Sequence, residues 1–476
     1  MTEHTMAEHT APGPIKLSVG YKLTWGLAAL GTSLISGIYG GLLTIFYQDY
    51  LGLSAYWIGI AATIYALWNA INDPLFGYIT DRTRTKRGRR IPYMRFTAPF
   101  LALTFILVWF APPQAGQQAL FWWMLVTMLL YDTFYTIIGL VYSSLLPEVT
   151  ESDAQRNGLQ ISSSLFGMVG TLLGFLIPDL VRPKSASESF APLYIAMIIV
   201  GLVSMALIMF TTYRVKERPE FTVVDQPLPF WDAIRFTFTS KSFLFLVAEN
   251  FMSILMSSLL LGSIFYLADY VMGWPAIQLL VFLFVPLLIG IPLTSLFRRR
   301  FGVVAAQQVL LVVAGVALIA IAFVPTALIP VCIAVAGLGL SGPQTLTNVL
   351  FAQVADEDEV RSGVRREGSF FGVNALITKP AQSIAIWIIP FILERTNFVT
   401  RASQLGETFF NQPATAVMGI KVFSGMLPGA ACLLGALLLM GYPLRGAYLE
   451  EVQHKVLLMH HEKKDELERR LSSAQD

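Results

Sequence analysis

The chain has 476 residues, 55% of them hydrophobic and only 13% charged, with a mean hydropathy of +0.62 and a net charge of +2. Ordinary globular domains carry about 25% charged residues. Apolar runs of membrane-crossing length recur from end to end, which excludes a soluble enzyme with a single anchor and predicts an all-α polytopic membrane protein. So small a net charge gives no sign of a nucleic-acid partner.

The first seventeen residues lack the basic-then-apolar pattern of a cleaved signal peptide, so the first span is expected to insert uncleaved. Apolar segments follow at 18–48, 55–80, 91–112, 118–146, 157–181, 190–213, 242–271, 275–297, 303–325, 327–351, 369–394 and 416–443. These are twelve spans of helical length, and an even number puts both tails on one side. Of the 33 Lys and Arg residues, 27 fall in the tails, in the loops on the tail side and at flanking positions. The opposite loops hold four: Arg182, Lys184, Arg395 and Arg401. Lys379 and Lys421 lie inside spans. This bias predicts cytoplasmic tails and a plasma (inner) membrane protein.

The polar stretch 214–241 divides the chain into an N-terminal six-helix bundle, 18–213, and a C-terminal one, 242–443. Its PFWDAIRF portion reads as a short helix on the membrane surface. The tail from 444 to 476 mixes Leu and Val at helical spacing with charge, as a solvated or membrane-resting amphipathic helix does. Residues 145–167 and 350–372 match at eight of 23 positions without gaps, including Asp153/Asp358, Arg156/Arg361 and Gly158/Gly363. The copies lie in the loops after spans 4 and 10, so the repeat is parallel. Two six-helix halves related by an axis along the membrane normal describe the major facilitator fold.

Charges inside spans carry the functional reading, because a carboxylate in a membrane helix is costly. Asp73 stands two turns before Asp81, about 12 Å inside span 2. Asn69 is on the same face and Asn72 is adjacent. On span 4, Asp132 and Thr136 are also one turn apart. These oxygens suit a small monovalent cation. Lys379 lies near mid-depth in span 11, before Pro380, which should kink the helix. Asp73 is its expected partner, since spans 2 and 11 should face each other across the halves. Glu249 on span 7 is a further intramembrane acid, with Lys379 or Lys421 as partner. The polar island 341–348 on span 10, with Gln344 and Thr345, reads either as substrate-facing or as a helix–helix contact. Gly167, Gly170 and Gly174 on span 5 read as a packing face. Trp25, Tyr39, Tyr65, Trp68 and Tyr142 could stack on a sugar ring or serve packing. Asp81, Arg82, Arg89 and Arg90 after span 2 read as a gate loop.

Cys332 and Cys432 sit in apolar runs and read as buried small hydrophobes. All five histidines are in the tails, no metal-ligand spacing exists, and no nucleophile–base pair is visible, so neither an enzyme nor a bound cofactor is expected.

The runs NDPLFGYITDRTRTKRGRRIPY, YDTFYTIIGLVYSSLLPEVT and ADEDEVRSGVRREGSFFGVNALITKP resemble signatures of the glycoside–pentoside–hexuronide:cation symporters, the melibiose-permease-like branch of the major facilitator superfamily. The resemblance spans all twelve segments. It implies alternating access driven by Na+, Li+ or H+, with a cation site on Asn69, Asn72, Asp73 and Thr136 and the span 11 lysine at Lys379. Melibiose permease has a second acid where this chain has Asn69, which leaves both Na+ and H+ open. Its galactoside-binding positions fall on Ser33, Gly139, Ser143 and Ser163, where two acids, a tryptophan and an arginine are lost. A site built to hydrogen-bond hydroxyls loses strongly when those partners go. The expectation is a monomeric symporter of a sugar or glycoside. A carrier of a lysophospholipid or other amphiphile, and a transporter-like sensor that moves nothing, are the alternatives. Candidate cavity residues are Ser33, Asp132, Gly139, Tyr142, Ser143, Ser163, Gln344 and Thr345.

Overall fold

The structure is a computed structural model and describes residues 17–82, 90–149, 153–183, 188–215, 239–362, 367–401, 412–456 and 458–459. Its first six helices are α1 (Val19–Thr44), α2 (Ala55–Arg82), α3 (Ile91–Trp109), α4 (Gln117–Val149), α5 (Asp153–Val181) and α6 (Ala191–Arg214). The second set is α7 (Lys241–Leu267), α8 (Ala276–Phe301), α9 (Val303–Ala320), α10 (Ile329–Ser362), α11 in two pieces (Glu367–Thr378 and Pro380–Arg395) and α12 in two pieces (Ala414–Lys421 and Leu427–Leu438). Eleven of these rods are long and apolar enough to cross a membrane on composition alone. The exception is α2, whose hydropathy is diluted by the polar residues that form the site described below.

The two sets repeat one plan. α1 packs on α5 and α6, as α7 packs on α11 and α12. α3 packs on α4 and α6, as α9 packs on α10 and α12. Across the halves, α2 meets α11 and α5 meets α8. The plan extends to element ends. A serine caps each leading helix: Ser18 accepts from the Tyr21 amide, and Ser240 from the Phe243 amide. Each leading helix also runs on into a π-turn, Ile45–Tyr50 after α1 and Ala268–Met272 after α7. A left-handed glycine follows each turn, Gly52 at φ 68° and Gly273 at φ 64°.

The helices approach closely where side chains vanish. A Cβ on Gly170 would stand 2.5 Å from the Leu30 carbonyl oxygen, and one on Gly174 2.8 Å from that of Leu34. With lipid as solvent, such contact replaces the hydrophobic drive that packs soluble helices. α11 is interrupted at Lys379, immediately before Pro380, which cannot supply an amide to continue the ladder.

The tail beyond α12 departs from expectation. It is helical over 446–456, and Val452 and Val456 are buried against the chain's own bundle. The Tyr448 hydroxyl donates to Glu357 Oε1 of α10 at 2.8 Å. Its apolar stripe therefore rests on protein, not on lipid or solvent. Residues 229–236, the expected surface helix, lie outside the described residues.

Candidate cation and substrate site

Where α2, α4 and α11 converge, Lys379 meets Asp73. The Lys379 ammonium pairs with Asp73 Oδ1 and also reaches Asn69 Oδ1 at 3.3 Å and Thr136 Oγ1 at 3.4 Å. The break in α11 positions this ammonium, because Lys379 closes one helical piece and precedes the next. Asp132, one turn before Thr136 on α4, is buried and accepts from the Tyr65 hydroxyl at 3.0 Å and from Asn72 Nδ2 at 2.9 Å. Asn72 Oδ1 is buried with no hydrogen-bond partner. Five residues thus supply oxygens to one spot, and the ammonium of Lys379 sits among three of them.

These groups form one end of a cavity of about 580 Å³ at the interface of the halves. Its N-terminal wall is aromatic and hydroxylic. Tyr39 stacks on Tyr131 at 4.2 Å between ring centres, and Tyr131 on Tyr135 at 5.7 Å, with Ser36 and Tyr65 beside them. The C-terminal wall is largely aliphatic: Ile254, Leu261, Ile386 and Ile389, with Ser257, Ser258 and Gln382 as polar points. Lys379 is the one cationic side chain among the lining residues. Gly40 and Gly139 face open space, which widens the chamber.

The expected residues divide. Asp73, Asp132, Thr136, Gly139 and Lys379 line the cavity, and Asn69 and Asn72 back it through hydrogen bonds. Six expected cavity residues lie off its walls. Ser33 packs near Gly167 of α5. Ser163 is bonded to Trp25 Nε1 and to the Tyr142 hydroxyl, and Trp25 stacks on Tyr142 at 4.6 Å, so this cluster ties α1, α4 and α5 together. Ser143 is exposed and donates to the Leu140 carbonyl. Gln344 is exposed, and Thr345 meets Thr294 of α8 at 3.3 Å, so the polar island on α10 bonds helices instead of facing the chamber. Neither lysine partners Glu249: Lys379 is taken by Asp73, and Lys421 donates to the Val324 carbonyl. In the gate loop, Arg89 and the side chains of Asp81 and Arg82 lie outside the described residues. Arg90 is buried, and its carbonyl starts α3 by accepting from the Tyr93 and Met94 amides.

A second constellation escaped the sequence reading. At the end of the molecule away from the tails, the π-turns of α1 and α7 lock the halves together. Arg401 donates to Asp269 Oδ2 at 2.5 Å, to the Tyr50 hydroxyl at 2.6 Å and, through its amide, to Asp49 Oδ1 at 2.7 Å. Arg182 donates to both oxygens of Asp269, at 2.5 and 2.6 Å, and to Asp179 at 2.9 Å. The Tyr270 hydroxyl donates to Asp49 Oδ2 at 2.5 Å. Below this layer, Gln48 donates to the Pro390 carbonyl at 3.1 Å and accepts from Tyr266 at 3.2 Å. Asp49, Arg182 and Arg401 are buried, so this is a desolvated seal over the cavity, which stops at Thr44 and Ile389. The missed signal was the recurrence of FYQDY at 46–50 as FYLADY at 265–270.

The family model for MFS/sugar transport proteins matches residues 24–446. The sodium-dependent lysophosphatidylcholine symporter 1 of Xenopus tropicalis is 23% identical over 91% of this chain and 88% of its own. An Escherichia coli protein named as a putative glycoside/cation symporter, YagG, is 24% identical over 93% of this chain and 95% of its own. Among solved structures, a point mutant of the nucleoside transporter NupG superposes with a TM-score of 0.63 at 14% identity, over 89% of this chain and 99% of that one. The inward-open xylose transporter XylE from E. coli gives 0.60 at 14% identity, over 91% and 99%. These superpositions carry the fold alone.

Proposed function

The chain belongs to the MFS/sugar transport protein family, and from that premise we propose that it is a cation-coupled secondary symporter working by alternating access between its halves. One observation carries this reading. The Lys379 ammonium occupies an oxygen-lined site formed by Asp73, Asn69 and Thr136, with the orphan Asn72 Oδ1 and the Asp132 carboxylate beside it. An internal cation sits where a transported one would be held. An arriving Na+ or proton neutralises Asp73 and frees Lys379 to swing toward the chamber. Asp132, on α4, supplies the second acid that the Asn69 position lacks.

With the tails cytoplasmic, as the Lys and Arg bias indicates, the far-end seal is external and this state faces inward. Lys379, the single lining cation, is already engaged. A neutral substrate therefore fits best, and the tyrosine ladder with its hydroxyls suits a sugar or glycoside. A second reading, a lysophospholipid or other amphiphile, is favoured by the aliphatic wall of Ile254, Leu261, Ile386 and Ile389, which would take an acyl chain. The protein would work as a monomer in the plasma (inner) membrane.

The test is uptake into proteoliposomes under imposed Na+ or pH gradients, with labelled glycosides and a lysophosphatidylcholine offered in parallel. Asp73→Asn is expected to lose gradient-driven accumulation of whichever substrate enters. Full accumulation by that variant would remove Asp73 from the coupling step.

A further inference from the structure

Glu249 on α7 lies in the core of the C-terminal half, away from the cation site, with no exposed surface. Its Oε1 accepts from the Ser253 hydroxyl at 2.8 Å and from Gln307 Nε2 of α9 at 3.0 Å. Gln307 Nε2 also reaches Thr347 Oγ1 of α10 at 3.2 Å. From α12, Gly435 packs against the Glu249 side chain, and Cys432 is the titratable neighbour on that helix. No Lys, Arg or His pairs with Glu249 among the described residues. Two acceptor oxygens, Glu249 Oε2 and Gln307 Oε1, are buried there with no hydrogen-bond partner.

An ionised carboxylate without a counter-charge in such a place would be strongly disfavoured, and it would leave both buried acceptors without a donor. One proton on Glu249 removes the charge and turns one of its oxygens into a donor. We propose that Glu249 is a second proton-binding site of this protein, held as the neutral acid and joining α7, α9 and α10 through its hydrogen bonds. The site is linked to the chamber along α7: the cavity-lining Ser257 donates to the Ser253 carbonyl at 2.9 Å, and the Ser253 hydroxyl donates to Glu249. It is also linked to α11, because Asn250 donates to Asn374 Oδ1 at 2.9 Å, little more than one turn before Lys379. Proton loss from Glu249 would therefore loosen the helix that carries one wall of the chamber.

The test uses the full chain in lipid and needs neither substrate nor an ion gradient, so it stands apart from the symport reading. The infrared difference between the wild type and Glu249→Gln isolates the vibrations of that side chain. At neutral pH the wild type should show a carboxylic-acid C=O band that the variant lacks, unchanged by added Na+. The folded form binds a proton that the unfolded chain releases, so wild-type thermal stability should fall as pH rises. Glu249→Gln should flatten that fall. Carboxylate bands in place of the acid band, or a Na+-dependent change in them, would overturn the proposal. So would a Glu249→Gln protein that fails to fold, because a neutral acid tolerates its amide isostere.

Discussion

Asp73 and Lys379 form a pair that each needs in order to stay inside a membrane protein. Removing either charge has different consequences. Asp73→Asn leaves Asp132 as the remaining acid near Lys379 and should remove coupling. Lys379→Gln instead leaves Asp73 and Asp132 without an ammonium. That variant should be less stable without cations, and Na+ should raise its melting temperature more than that of the wild type. An equal Na+ response in the two proteins, read by thermal unfolding, would mean that Lys379 does not share the cation's place. At the far end, Arg401→Ala leaves the buried Asp49 carboxylate without its counter-charge, while Arg182 still holds Asp269. Losing one partner of a buried pair costs about 3–5 kcal/mol of that interaction. Because the loss falls on one conformation only, the variant should open outward. A cysteine introduced at Thr44 should then react with impermeant maleimide from the outside much faster than in the Arg401 background.

At the level of elements, the π-turns after α1 and α7 matter most. A π-turn carries an extra residue per turn and recurs at functional sites. Both turns present an acid followed by a tyrosine, Asp49-Tyr50 and Asp269-Tyr270, toward the opposite half. Asp73 and Lys379 were legible in the sequence because a charge in mid-span is costly and needs a partner, whether for coupling or only to hold helices together. Asp49, Asp269, Arg182 and Arg401 were not, because charges at span ends are ordinary, and only the folded halves bring these four together. Ser163 and Thr345 were misplaced for a related reason. A helix polar residue can serve the chamber or a neighbouring helix, and periodicity alone does not say which. The contact of α1 with α5 gives a clean test of packing. Gly170→Val should cost about 1–3 kcal/mol, since the Leu30 backbone cannot withdraw from the added carbons. A melting temperature equal to that of the wild type would contradict the close approach.

At the scale of the whole molecule, the repeat in the loops after α4 and α10 extends to the helix pairings, the serine caps and the far-end turns. The halves differ where the work is done. The proposed cation site belongs to α2 and α4 of the first half, completed by one lysine from α11. The second half contributes an aliphatic wall and the buried Glu249. This division lets a rocking motion between rigid halves break a single mid-membrane ion pair, Asp73 with Lys379, while the far-end seal opens. Such a cycle needs the cation and the ammonium to compete for the same oxygens.

That competition is most directly read by equilibrium cation binding to the purified protein, titrated with Na+ and with Li+ at fixed pH. One cation should bind per chain, with binding abolished in Asp73→Asn and weakened in Asp132→Asn. Unchanged binding in Asp73→Asn, or two cations bound by the wild type, would contradict the account.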